Sequence, residues 1–411
     1  MYFCPMFKKA TLILNLTCVF LMLGQTPDSL AIKNGIENPS LLSIHHFGIF
    51  SSRLNTNFKL RSAKDKSLSF NYTSGNLFHP FVEGYFPENT DIRKQFSETI
   101  WYLRPFNFID QETTPAEYMN IVIDAVIKEF RASLNIPINN NQEFTITLRS
   151  YLITKGKHPF SVFTSDESIE WFHSNIAGGE DPYGRRYYGL NQVNFEYLDR
   201  NGHTLKLNNN DFFIGGIEFS HYYYPSWSIS KNRNIYINFG SHLGINTSTF
   251  NPSVDFGLSA NAVKHIPFKN QFQFNFGVGA NILRKNLLTF SDDTIDLGNN
   301  KYLGTFESNL ELSKSTKRGN YNALGINFQI QTSYNKKEEA NYYHLKGKWQ
   351  EINGGWHHGV RTLYNNLSTW SLIYTYNHSK YKISLFIKQD LEVHNAPDFQ
   401  TGIQLKVPIL K

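Results

Sequence analysis

Between Gln271 and Ala280 apolar and polar side chains change places at every residue. Phe272, Phe274, Phe276, Val278 and Ala280 fall on one face, and Gln271, Gln273, Asn275, Gly277 and Gly279 on the other. A period of two is that of a strand with two unlike faces, and a helix would not sort the residues this way. Gly325 to Asn335 repeats the pattern, with Ile326, Phe328, Ile330 and Tyr334 opposite Asn327, Gln329, Gln331 and Ser333. Val254 to Ala262 does the same with Phe256, Leu258 and Ala260 against Asp255, Gly257 and Ser259. Shorter examples include Leu54, Phe58 and Leu60 against Arg53, Asn55, Asn57 and Lys59; Leu68, Phe70 and Tyr72; Ile235, Ile237 and Phe239; Phe306, Leu310 and Leu312; Ile383, Leu385 and Ile387; and Ile403, Leu405 and Val407. Roughly a dozen such segments predict an all-β chain joined by hairpins.

The connections come in two lengths. Lys269-Asn270 makes a tight turn, whereas Asn286 to Tyr302 and Lys336 to Tyr342 are longer and polar. Short turns alternating with long loops, and strands with one aromatic-rich apolar face and one face of small amides and glycine, suit an antiparallel transmembrane β-barrel of about 12 strands (10 to 14) better than a soluble sandwich. No stretch beyond the N-terminus has the 18 or more continuous apolar residues of a membrane helix.

Two stretches break the alternation. Asn76 to Tyr118 holds Pro80, Pro87, Pro105 and Pro115 and is expected to be loop or plug. Within it Thr114-Pro115-Ala116-Glu117 has the form of a capping box that would start a short helix through about Val126. Phe130, Ala132, Leu134 and Ile136 then run into Asn139-Asn140-Asn141, with Phe144, Ile146 and Leu148 returning as a hairpin. The second irregular stretch, about 165 to 187, is expected to fill part of the lumen as well.

Composition agrees with strands: aromatics are 15% of 411 residues, with 34 Phe and 23 Tyr, and charged residues only 18%. The net charge of +6 is scattered and forms no basic stripe, so no nucleic-acid partner is expected. Lys8 and Lys9 precede an apolar run from Ala10 to Gly24 that is too short to span a bilayer, the pattern of a signal peptide. Cleavage is expected after Ala31, with Gly24 as the competing site, leaving residues 32–411 as a single barrel domain. This removes Lys8, Lys9 and Asp28, lowering the formal charge from +6 to +5, and takes away both cysteines, Cys4 and Cys18. No thiol catalyst, disulfide or cysteine metal site is then expected, and no cofactor or metal is implied.

Candidate chemistry concentrates in Ile169 to Arg186, which holds His173, Glu180, Asp181, Arg185 and Arg186 among glycines. These residues could form a charged constriction in a pore, a ligand-contacting loop or a hydrolytic site, or could simply pair with one another in a folded-in loop. His173 is adjacent to Ser174, and neighbours on a strand point to opposite faces, so the two do not make a nucleophile and base. His357-His358 and His45-His46 have no second ligand group at a recognisable spacing and are expected to be exposed loop histidines.

The stretch Ile169 to Arg185, with its Ile-Glu-Trp-Phe-His core followed by glycines and an arginine, resembles an uncharacterised family of Gram-negative outer-membrane barrel proteins, a domain of unknown function. The hairpin around Phe130 to Leu152 is compatible with it. That resemblance implies an outer-membrane barrel and no particular activity. The expected role is therefore a pore or transporter for small solutes or lipid-like molecules, in contact with outer-membrane lipid. The alternatives are an outer-membrane lipid hydrolase with His173 as base and a soluble exported β-protein that binds a partner.

Overall fold

The computed structural model describes residues 33–39, 42, 45–87, 116–156, 161, 163–177, 189–268, 271–316, 320–337, 362–390 and 399–409. The expected signal peptide lies outside these residues, as do Glu180, Asp181, Arg185, Arg186 and the pair His357-His358.

Twelve antiparallel strands close into a barrel. In chain order they are β1 (Ser67–Pro87), β2 (Ala116–Asn139), β3 (Gln142–Thr154), β6 (Phe212–Tyr223), β7 (Ile235–Asn246), β8 (Ser253–Pro267), β9 (Phe272–Thr289), β10 (Tyr302–Ser315), β11 (Tyr321–Gln331), β12 (Leu367–Asn377), β13 (Lys382–Asp390) and β14 (Phe399–Pro408). Each pairs with its neighbour in this order, and β1 closes the ring by pairing with both β14 and β2. Two short strands, β4 (Asn194–Leu198) and β5 (Thr204–Leu207), form a hairpin attached to β2 beyond the end of β3.

The alternation seen in the sequence is the alternation between wall and lumen. Phe70, Leu258, Ile282, Leu310, Ile326 and Leu385 are each about half exposed on the outside, while Asn71, Ser259, Asn309, Asn327 and Ser384, all buried, face inward. An apolar exterior around a polar interior is the arrangement of a barrel whose solvent is lipid. Turns at 140–141, 268–271, 316–320 and 378–381 lie at one end, with the paired ends Ser67 and Pro408. The strand ends Pro87, Thr154, Thr289 and Gln331, from which the long connections leave, lie at the other.

Two expectations for the first irregular stretch are overturned. Residues 76–87 are strand, paired to β2 with a register shift between His79 and Val82. Pro80 sits in that irregularity, where a ladder tolerates a missing donor. Residues 116–126 are strand too and form no helix, because β1 on one side and β4 on the other supply partners for their backbone. Tertiary pairing overrides the local capping signal. The alternation fails here because both faces are covered: Ile121, Ile123 and Ile127 are buried inward, and Asp124, Val126 and Lys128 on the opposite face are buried as well. A strand covered on both sides has no reason to alternate.

Candidate functional site

A barrel of 12 strands is wider than its own inward side chains can fill, since about 8 strands already accommodate them. The space is taken by the described residues of 33–62. These run up the lumen from the short-turn end, turn over in a 3-10 helix at His46–Phe50 near the long-loop end, and descend again to enter β1. The two arms hold each other: the Ile36 amide donates to the Phe58 carbonyl at 3.0 Å, Asn34 Nδ2 donates to the Arg61 carbonyl at 2.8 Å, and the Arg61 amide donates back to Asn34 Oδ1 at 3.2 Å. The alternation of 53–60, which predicts a strand, is real, but this segment lies inside the wall and belongs to no sheet.

Glycines on the lumen face make the bed for the descending arm. A Cβ at Gly244 would meet Ser52, one at Gly257 would lie 2.3 Å from Leu54 Cδ1, one at Gly279 2.2 Å from Thr56 Cγ2, and one at Gly277 2.7 Å from Phe58 Cδ1. Any side chain at these wall positions would push the arm away. This is why glycines share the polar face of β7, β8 and β9.

Buried backbone must find partners, and here the wall's side chains supply them. The Ser52 amide donates to Asp255 Oδ2 at 2.8 Å, and the Arg53 amide to Glu218 Oε1 at 2.6 Å. Asn251 Nδ2 donates to the Phe50 carbonyl and Asn238 Nδ2 to the Asn57 carbonyl, both at 2.9 Å. Ion pairs tie the same segment down: Lys33 with Glu311 at 2.6 Å, Lys59 with Glu143 at 2.5 Å, and Glu37 with Lys382. Beneath these, Glu218 is shared by the buried guanidinium groups of Arg131 and Arg149, the latter at 3.0 Å. Each of these charges has an opposite partner, as charges removed from water require.

The two ends of the lumen differ. Toward the long-loop end the turn of the plug enters an apolar cluster. Phe47 lies 4.9 Å from Tyr197, and Phe50 stacks on Phe213 at 5.7 Å and meets Phe195 edge-on. Ile121, Ile123, Leu205, Leu297 and Leu363 complete this seal. His45 and His46 belong to it, contrary to the exposed-loop expectation: both are buried, with His45 stacked on Tyr334 at 4.1 Å and His46 5.0 Å from His79. Burial pushes both rings well below the usual histidine value, and the neighbouring His79 adds to the effect. Toward the short-turn end the packing loosens into a polar cavity of about 190 Å³ between the plug and strands β1, β2, β3 and β14.

His173 is not in the lumen. Ser165 caps helix α1 (Asp166–Phe172), accepting from the Ser168 amide, and one π turn (His173–Ala177) follows. This segment lies on the outer wall. Ser74 and Asn76 of β1, on the same outward stripe as Phe70 and Tyr72, bond to Thr164 and Asp166, and Lys128 of β2 donates to Ser161. Helix α1 presents Trp171 and Phe172, and with Phe163, His173, Gln389 and Phe399 it borders an apolar groove. The described part of the expected lumen segment 165–187 thus lies outside the barrel, because polar side chains on the outward face of β1 and β2 hold it there. His173 has the Phe172 ring at 6.3 Å, and no hydrogen bond to its ring occurs among the described residues.

A histidine–serine pair that sequence reasoning missed lies in the lumen. His242 Nδ1 is 2.8 Å from Ser220 Oγ and its Nε2 is 2.9 Å from Ser259 Oγ. The position a carboxylate would take in a catalytic triad is filled by the second serine, and the nearby Glu218 is spent on Arg131 and Arg149. This arrangement braces β6, β7 and β8. Among the described residues no group of histidine, cysteine or carboxylates is placed to hold a metal ion.

No family model matches the chain, and no curated protein does. Among solved structures it is similar to an outer-membrane channel from Pseudomonas putida F1, at 7% identity over 87% of this chain and 100% of that one, with a TM-score of 0.38. It is also similar to the NanC porin, at 8% identity over 69% and 94%, with a TM-score of 0.34. These likenesses extend to the barrel fold and no further.

Proposed function

We propose that the protein is an outer-membrane channel for small polar solutes, closed at rest by its own residues 33–62. The observation that carries this reading is the asymmetry of the lumen. A polar cavity is open to one end, the other end is sealed by an apolar cluster, and one continuous segment makes both. That segment is held by side-chain hydrogen bonds, ion pairs and a glycine bed, which are contacts that can be exchanged for water one at a time. It contributes no strand to the wall, so it can shift without opening the barrel. The short-turn end is assigned to the periplasm, in line with the usual orientation of such barrels.

The test is conductance in planar lipid bilayers. The intact protein is expected to be closed or to open rarely. A variant lacking residues 33–62 is expected to conduct steadily while still changing its gel migration on heating, as folded barrels do. A folded deletion variant that does not conduct would remove the channel reading. Recovery of the protein from the soluble fraction would remove the outer-membrane assignment with it.

A further inference from the structure

We propose that the cavity at the short-turn end of the lumen is a binding site for a small multivalent oxyanion, a phosphate or a dicarboxylate, centred on Lys406. The inference deepens the channel reading by naming the class of solute, and it rests on that reading only for its biological meaning.

The first observation is a like-charged pair. Lys382 of β13 and Lys406 of β14 are directly opposite each other in the ladder, both on the lumen face and both lining the cavity. Like charges facing each other across a ladder are destabilising unless something of opposite sign lies between or beside them. Lys382 has such a partner, the Glu37 carboxylate of the plug. Lys406 has no hydrogen bond or ion pair among the described residues.

The second observation concerns the acids around the cavity. Glu37 is engaged by Lys382 and by Tyr321 Oη, which donates to it at 3.0 Å. Glu143 accepts from Lys59, from Tyr224 Oη at 2.7 Å and from the Ala63 amide at 3.1 Å. Glu218 accepts from Arg131, Arg149 and the Arg53 amide. These three acids are already committed, and the fourth acid of the lining, Asp65, makes no hydrogen bond or ion pair with Lys406 among the described residues, which leaves Lys406 as a cation without one.

The remaining lining is rich in donors. Ser69, Ser133, Thr145, Asn135 and Gln404 bring hydroxyl and amide groups to the same space. A cation set among hydroxyls and amides is the environment that charge-assisted hydrogen bonds to oxyanions use. The volume of about 190 Å³ corresponds to roughly six waters at their liquid share, enough for phosphate or a four-carbon dicarboxylate with part of its hydration. A monovalent anion such as chloride would fill only part of this space.

The experiment is titration calorimetry of the detergent-folded, full-length barrel with sodium phosphate and, separately, sodium succinate, at constant ionic strength held by chloride. Saturable binding of at least one is expected, weakened tenfold or more in Lys406→Gln and largely recovered in Lys406→Arg, with all variants shown to be folded by their heat-dependent gel shift. Phosphate binding alone would identify a phosphate site, and succinate binding alone a carboxylate site. Absence of saturable binding by either, or equal binding by Lys406→Gln, would overturn the proposal. The readout is independent of conductance: a barrel that binds phosphate but never conducts refutes the channel and leaves the site, and the reverse result refutes the site alone.

Discussion

Replacing Phe58 by alanine should open the barrel without unfolding it. Phe58 is 1% exposed, packs with Ile36, Val263 and Leu60, and rests on the glycine bed at Gly277. Truncating a buried phenylalanine costs about 3 to 5 kcal/mol. Here the lower end applies, because Phe58 also borders the polar cavity, and water can enter the space its ring leaves. About 3 kcal/mol is roughly a hundredfold in an equilibrium constant. Phe58 belongs to the plug and its partners are split between plug and wall, so most of this loss falls on the docking of the segment rather than on the strand ladder. The open probability of single channels in a planar bilayer should therefore rise by about two orders of magnitude, or saturate if docking is weaker than that. Gly279→Val, which adds bulk under Thr56 from the wall side, should act in the same direction. A folded Phe58→Ala barrel as firmly closed as the wild type, when deletion of 33–62 conducts, would refute the view that this contact holds the plug.

Three further outcomes are expected. Glu218→Gln removes the carboxylate shared by two fully buried guanidinium groups, and breaking a buried pair from one side costs about 3 to 5 kcal/mol. The urea midpoint of the heat-dependent gel shift should fall clearly, and an unchanged midpoint would contradict the network described here. His45 and His46 have folded-state values depressed by burial below the ordinary 6.5, so the unfolded or undocked chain takes up protons first as the pH falls. The stability they allow is complete above about pH 6.5 and is lost progressively below it. Maleimide labelling of Ser51→Cys, at a buried position, taken at each pH relative to a free thiol because only the thiolate reacts, should accelerate on acidification and do so less in the double variant with glutamine at both histidines; a relative rate that ignores pH would exclude this origin. Trp171 is 58% exposed on the outer wall, and its fluorescence should be quenched by brominated lipid in reconstituted vesicles. Absence of quenching would place helix α1 away from the bilayer.

The strand-by-strand pattern was open to inspection in the sequence because each barrel strand has lipid on one side and a polar lumen on the other. Phe272 to Ala280 and Val254 to Ala262 record that difference residue by residue. The number of strands and the hairpin of 130–152 follow from the same periodicity, while the tight turn expected at 269–270 lies outside the described residues. The candidate site was hidden for the complementary reason. Residues 53–60 alternate as a strand does, since one side of the arm meets the wall and the other the cavity, and periodicity cannot tell a strand that pairs through its backbone from an extended arm held by side chains. The glycines of β7, β8 and β9 stood out as part of the polar face, yet only the position of Ser52, Leu54, Thr56 and Phe58 shows that they are a bed.

What the sequence by itself determined, then, is the local conformation and the sidedness of the wall, because these depend on neighbours two residues apart. What the tertiary structure decided is where the irregular pieces go. Residues 76–87 became strand by pairing with β2, and 116–126 by pairing with β1 on one side and, at 120–124, with β4 on the other. The 161–177 segment went outside because Ser74, Asn76 and Lys128 offered it polar contacts there, and residues 33–62 went inside because a ring of 12 strands encloses more space than its own side chains fill. Each outcome depends on groups from about 30 to more than 200 residues apart in the chain meeting in the closed barrel, and no short window along the chain contains both partners.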